Sequence, residues 1–159
     1  MANLFQGLAR GAIDNKSSSL INIIANETDM EMGGTVKLVA PPANELLPRA
    51  DKVDAVTDKG YGIIVGGDND GIYGTGGASP ADNTTKASLL VGDAIVICTQ
   101  GRCLARLFET CTLGAALSPS AGGDLQLADT ATHNILAIAL QAGTGGDIIA
   151  VDVQREGAF

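Results

Sequence analysis

The chain has no tryptophan, two tyrosines, one histidine and three cysteines, and aromatic residues make up only 3% of its 159 positions. So few aromatics leave little from which to build the exposed Trp or Tyr platforms that binding modules usually present. With His133 as the sole histidine, any Ser-His-Asp, Cys-His or zinc site has to run through that residue. It stands in Thr132-His133-Asn134, which reads as a solvated turn. Cys98, Cys103 and Cys111 complete no zinc-ligand pattern with a second Cys or His pair. A turn at Thr99-Gln100-Gly101-Arg102 would set Cys98 opposite Cys103. Bridges are rare in a reducing cytosol, so buried free thiols are expected. No apolar run reaches the ~18 residues that span a bilayer. The start, Met1 to Gly7, shows neither the charged nor the apolar region of a signal peptide, so the expectation is cytoplasmic synthesis without a membrane partner.

Positive charge is also scarce. Eighteen acidic against ten basic side chains give a formal net charge of −8 and a pI near 4.4. Such a surface repels phosphate backbones, which argues against nucleic acid as a partner. What the chain does have is 45% hydrophobic residues, dominated by Ala, Val, Ile and Leu, enough for one core. The 21 glycines and 5 prolines interrupt it every few residues and leave little room for long helices. The expected fold is all-β, a small β-barrel or β-sandwich of short strands with an extended N-terminal arm.

The arm covers residues 1–34 and the body residues 35–159. Leu4, Phe5, Leu8, Ile13, Leu20, Ile21, Ile23 and Ile24 are the apolar residues of the arm. Glycine and serine interrupt them too often for the arm to fold alone, so they are candidates for contact with a partner. The competing reading makes Leu20 to Ile24 an edge strand of the body, and the sequence leaves the two open. Within the body, Thr35 to Ala40 reads as a strand stopped by Pro41-Pro42, and Glu45 to Pro48 as at most one helical turn. Lys52 to Val56 alternates, and Tyr61 to Val65 is an apolar run leading into the turn-rich Gly66 to Gly71. A polar loop follows from Gly74 to Lys86. Ala94 to Cys98 and Cys103 to Phe108 read as a hairpin about Gly101. Ala115 to Leu117 and Asp124 to Ala128 flank a turn, and Ile135 to Leu140 pairs with Ile148 to Val153 as the last hairpin.

Catalytic patterns are approached and missed. Gly77-Ala78-Ser79-Pro80-Ala81 lacks the final glycine of a nucleophile elbow. In Gly60-Tyr61-Gly62, Val65 replaces the third glycine of a dinucleotide fingerprint. Asp68-Asn69-Asp70-Gly71 has Tyr73 where a calcium loop needs glycine. Asp129-Thr130-Ala131 misses the Asp-Thr-Gly of aspartic proteases. The expectation is no enzyme, no cofactor and no metal.

One set of motifs has a family likeness. Val91-Gly92-Asp93-Ala94-Ile95-Val96, Thr112 to Leu117, the turn Gly123-Asp124-Leu125-Gln126, Ile138-Ala139-Leu140 and Gly146 to Val151 follow in that order. Together they resemble the body of the capsid decoration, or head-stabilising cement, proteins of tailed bacteriophages. The likeness runs from Leu90 to Val153, a little under half the chain, and Ala137 stands where the family often has glycine. It implies a structural virion protein on the capsid exterior, present in the host cytoplasm during assembly. Its implied partners are the major capsid protein and other copies of itself, commonly as a trimer. The competing functions are a β-sandwich module binding a carbohydrate or receptor, and a small hydrolase, which would need His133 or an acidic pair in a pocket.

Overall fold

In a computed structural model of the chain, residues 18–67, 90–129 and 133–154 are described. They hold strands and no helix, so the fold is all-β. The strands are β1 Ser19–Ala25, β2 Thr35–Val39, β3 Arg49–Lys52, β4 Gly62–Gly67, β5 Ala94–Arg106, β6 Ala116–Pro119, β7 Leu125–Leu127, β8 Ala137–Ala139 and β9 Ile148–Val153.

The first five form a closed barrel in the order β1-β3-β2-β4-β5, shut by antiparallel pairing of β1 with β5. Beyond the barrel β5 continues into a second sheet, ordered β5-β9-β8-β6-β7. A bridge between Leu107 and Leu125 brings β7 back beside the end of β5. Each barrel strand is therefore paired on both sides, which removes the exposed edges that invite aggregation.

Burial explains why the strongest apolar runs lie in β4 and β5. Ile64, Ile95 and Ile97 point into the barrel with Ile23, Val36 and Ala50. Their neighbours Ile63, Val65, Val96 and Cys98 point the other way, against Leu117, Leu125, Ile149 and Val151 of the second sheet. A strand covered on both faces loses the apolar-polar alternation and reads as a continuous run. In β9 the alternation survives, with Ile149, Val151 and Val153 buried and the residues between them partly or fully exposed.

Three expectations from the sequence change. Leu20 to Ile24 belong to β1, a barrel stave between β3 and β5 and not an edge strand. The body thus includes residues ahead of position 35. Burying Ile23 alone is worth about 1.5–3 kcal/mol, which favours spending this segment on the chain's own core. The hairpin expected between Cys98 and Cys103 is absent, because β5 is one strand of 13 residues. Cys98 pairs with Leu20 and Ile63, while Gly101 pairs with Val153. Ladders on both sides of the polar tetrapeptide hold it in the sheets, and a bend replaces the turn. Gly101 makes that bend with φ 96, a conformation costly for residues with a Cβ. The last hairpin is present: Ala139 pairs with Val151, and the Leu140 amide donates to the Ala150 carbonyl at 2.9 Å. The stretch from Lys52 to Val56 forms no strand beyond Lys52. A turn follows, with the Asp58 amide on the Ala55 carbonyl at 3.0 Å.

Candidate functional site

His133 is only partly exposed and is bonded into the fold. Its Nδ1 lies 3.2 Å from Ser118 Oγ and 3.3 Å from Gln126 Nε2, and accepts the Asp129 amide at 3.1 Å. The ring fastens the loop after β7 onto β6 and β7. Ser118 is fully buried, so its contact with His133 offers no accessible nucleophile. Asp147 is committed to a turn: its Oδ2 accepts from the Thr144 amide at 2.8 Å and hydroxyl at 2.9 Å. Those bonds hold its carboxyl below the ordinary range. Ser79, the loop Gly74 to Lys86 and the turn Asp68 to Gly71 lie outside the described residues, as do Thr130 and Ala131. Among the described residues no three His, Cys, Asp or Glu side chains are grouped to hold a metal, and no helix is long and apolar enough to cross a membrane.

Cavities lie at two seams among the described residues. One, of about 230 Å³, is lined by Lys59, Tyr61, Thr99, Asn134, Leu136 and Gln154. The other, of about 300 Å³, lies where the connection between β1 and β2 meets the second sheet, and it is charged. Arg106 Nη1 pairs with Glu31 Oε2 at 2.6 Å, and Lys52 pairs with Asp29. Arg106 is half-buried as well as paired. Burial pushes the Asp124 carboxyl up. It also pushes Glu27 up to about 7, helped by a hydrogen bond with Asp29 and the charge of Asp51. Asp29 is held low by Lys52. This arrangement binds the chain to itself, and its cations are matched by its own carboxylates.

Among the described residues, Phe108 and Leu113 are exposed near the second sheet, and a further set of exposed apolar groups lies at the barrel. Leu46 is 97% exposed and Leu47 76%, both on the loop between β2 and β3. Pro41, Pro42 and Pro48 stiffen that loop, the Glu45 amide donates to the Pro42 carbonyl at 3.1 Å, and Arg49 pairs with Glu45. Leu90 and Val91 are also exposed, on the turn leading into β5. Pairing places both segments at one end of the barrel: Val39 faces Arg49, Ile24 faces Arg49 and Ala94, and the Gly92 amide bonds the Ala25 carbonyl at 2.8 Å. Neither Leu46-Leu47, set between prolines, nor Leu90-Val91, set before a turn glycine, is long enough to show a periodicity from which this end could be read.

Of the contact residues read from the sequence, Ile23 is in the core, Ile21 and Leu20 pack against core clusters, and Ile24 is half-buried between β3 and β5. Leu4, Phe5, Leu8 and Ile13 lie outside the described residues.

No protein-family model matches the chain, and a search of curated proteins finds no match. Among solved structures it is similar to the N base of head fiber gp8.5 of bacteriophage phi29, with a TM-score of 0.51 and 8% identity. The likeness covers 87% of this chain and 95% of that one. At such identity it is a likeness of fold.

Proposed function

We propose that this chain is a structural component of a bacteriophage virion, seated on the outside of the head, where it decorates and stabilises the shell. The observation that carries the reading is the fold shared with a domain whose own name places it on a phage head. The motifs from Leu90 to Val153, similar to those of capsid decoration proteins, point the same way from the sequence. An acidic chain suits the exterior of a shell, because it has no packaged DNA to bind.

The proposed partner is the major capsid protein. The stiffened end carrying Leu46, Leu47, Leu90 and Val91 is one contact, since apolar side chains on a pre-ordered loop lose little entropy on docking. Leu4, Phe5, Leu8 and Ile13 are the other, toward the shell or a neighbouring copy. Self-association, with a trimer as the form implied by the family likeness, would use faces, because the barrel strands are already paired. The described chemistry offers no accessible nucleophile at His133, which weighs against the hydrolase reading.

The test is co-sedimentation of the purified chain with phage heads lacking it. The wild-type chain is expected to travel with the heads. A Leu46→Ser/Leu47→Ser variant should bind measurably less, with unchanged circular dichroism. A wild-type chain left at the top of the gradient at saturating concentration would refute the reading.

A further inference from the structure

We propose that Cys98 and Cys103 are an oxidisable pair that closes an intrachain disulfide across the inside corner of β5. The corner is where this strand leaves the barrel and enters the second sheet, and bends of this kind are how one strand serves two packed layers. In an undistorted strand, residues five apart face opposite sides. Here two irregularities intervene. The pairing of β1 with β5 shifts register between Ser19 and Leu20, and Gly101 takes a positive φ. As a result Cys98 leaves the outer wall of the barrel and Cys103 the inner face of the second sheet, both toward the same core cluster.

Both residues are fully buried and free, and their side chains interact directly. Cys98 Sγ lies 3.3 Å from the Gln100 carbonyl and 3.8 Å from that of Gly101, which places it inside the bend on the side of Cys103. Cys111 is no competitor, because its sulfur sits 3.9 Å from the Gln141 carbonyl at another seam. Cys98 is itself fully buried, so an outside oxidant reaches it when this corner opens locally, beside the half-buried Ser18, whose hydroxyl donates to the Arg102 carbonyl at 3.0 Å.

The chemistry needs an outside oxidant, and a small-molecule disulfide RSSR suffices. Contact with Cys103 and the Gln100 carbonyl lowers the Cys98 thiol from its ordinary range, whereas Cys103 is driven upward. Cys98 is therefore the first thiolate. It attacks one sulfur of RSSR, breaking the S–S bond and releasing RS⁻, which takes up the proton that Cys98 lost. The sulfur of Cys103 then displaces the second RS⁻ from Cys98 and passes its own proton to it. Two protein thiols are oxidised to one disulfide, and RSSR is reduced to two RSH. A chain assembled in a reducing cytoplasm and carried outside the cell would close the bond on leaving. That timing rests on the virion reading; the bond does not.

Arg102 lies between the two cysteines, so a tryptic digest reads the bond directly. The full-length purified chain is incubated with glutathione disulfide below its melting temperature, blocked with iodoacetamide and digested without reduction. The expected product is the peptide ending at Arg102 joined to Cys103-Leu104-Ala105-Arg106, with free thiols falling from three to one per chain. Reductant should separate the peptides. Cys111→Ser should leave the product unchanged, and Cys103→Ala should abolish it. Three alkylated cysteines in the treated wild-type chain, or a bond that includes Cys111, would overturn the proposal. Neither result depends on phage particles.

Discussion

Replacing Glu27 by glutamine should make stability less dependent on pH between 5 and 8. The carboxyl stands beside Asp29 and Asp51 on a half-buried surface, with Lys52 as the opposing charge. Burial is the largest cause of its rise from 4.5 to about 7, followed by the hydrogen bond with Asp29. An acid whose folded pKa lies above its unfolded one holds its proton more tightly in the native state. Its contribution is therefore fully present below pH 4.5 and is lost as the pH rises through about 7. At 1.36 kcal/mol per pKa unit the full shift would be worth roughly 3.4 kcal/mol, and partial solvent exposure reduces that to about 1 kcal/mol. Asp29 is shifted down, so its contribution disappears only below the tested range. Urea unfolding followed by far-UV circular dichroism at pH 5, 6, 7 and 8 would measure both chains. Relative to Glu27→Gln, the wild type should lose about 1 kcal/mol across the series, roughly 0.5 M in the urea midpoint. Midpoints that run parallel throughout would refute the assignment.

Two further substitutions test the packing. Leu107→Ala removes a fully buried side chain beside Leu125, and should cost about 3 kcal/mol, or roughly 6–12 °C in melting temperature; a loss under 1 kcal/mol would place Leu107 outside the core. Gly33 has φ 87, its amide bonds the Ile64 carbonyl at 2.8 Å, and its carbonyl accepts the Arg106 amide at 2.9 Å. A Cβ there would lie 3.0 Å from the Arg106 nitrogen, so Gly33→Ala should cost about 2–3 kcal/mol in thermal or urea unfolding. An unchanged midpoint would show that this link between the barrel and the second sheet carries no load.

The strand content was legible because its signals are local. Glycine and proline spacing capped strand lengths, and alternation in β9 and turn residues near Gly143 fixed the last hairpin. What escaped the sequence was long-range. Thr99-Gln100-Gly101-Arg102 has turn chemistry, and only pairing with β1, β4 and β9 shows that the strand passes through it. Leu20 to Ile24 looked surplus to the body because their partners lie about 75 residues away, in β5. The pairing of Arg106 with Glu31 has the same origin, since neither residue carries a local sign of the other. His133 read as solvated for want of any sequence cue that Ser118, Gln126 and the Asp129 amide converge on one ring nitrogen.

Cryo-electron microscopy of phage heads assembled with and without the chain tests directly whether it sits on their outer surface. Extra density is expected at regular positions on the exterior, of a size to hold the barrel and its second sheet, with the end bearing Leu46 and Leu47 against the shell. Identical maps, or extra density confined to the interior, would contradict it.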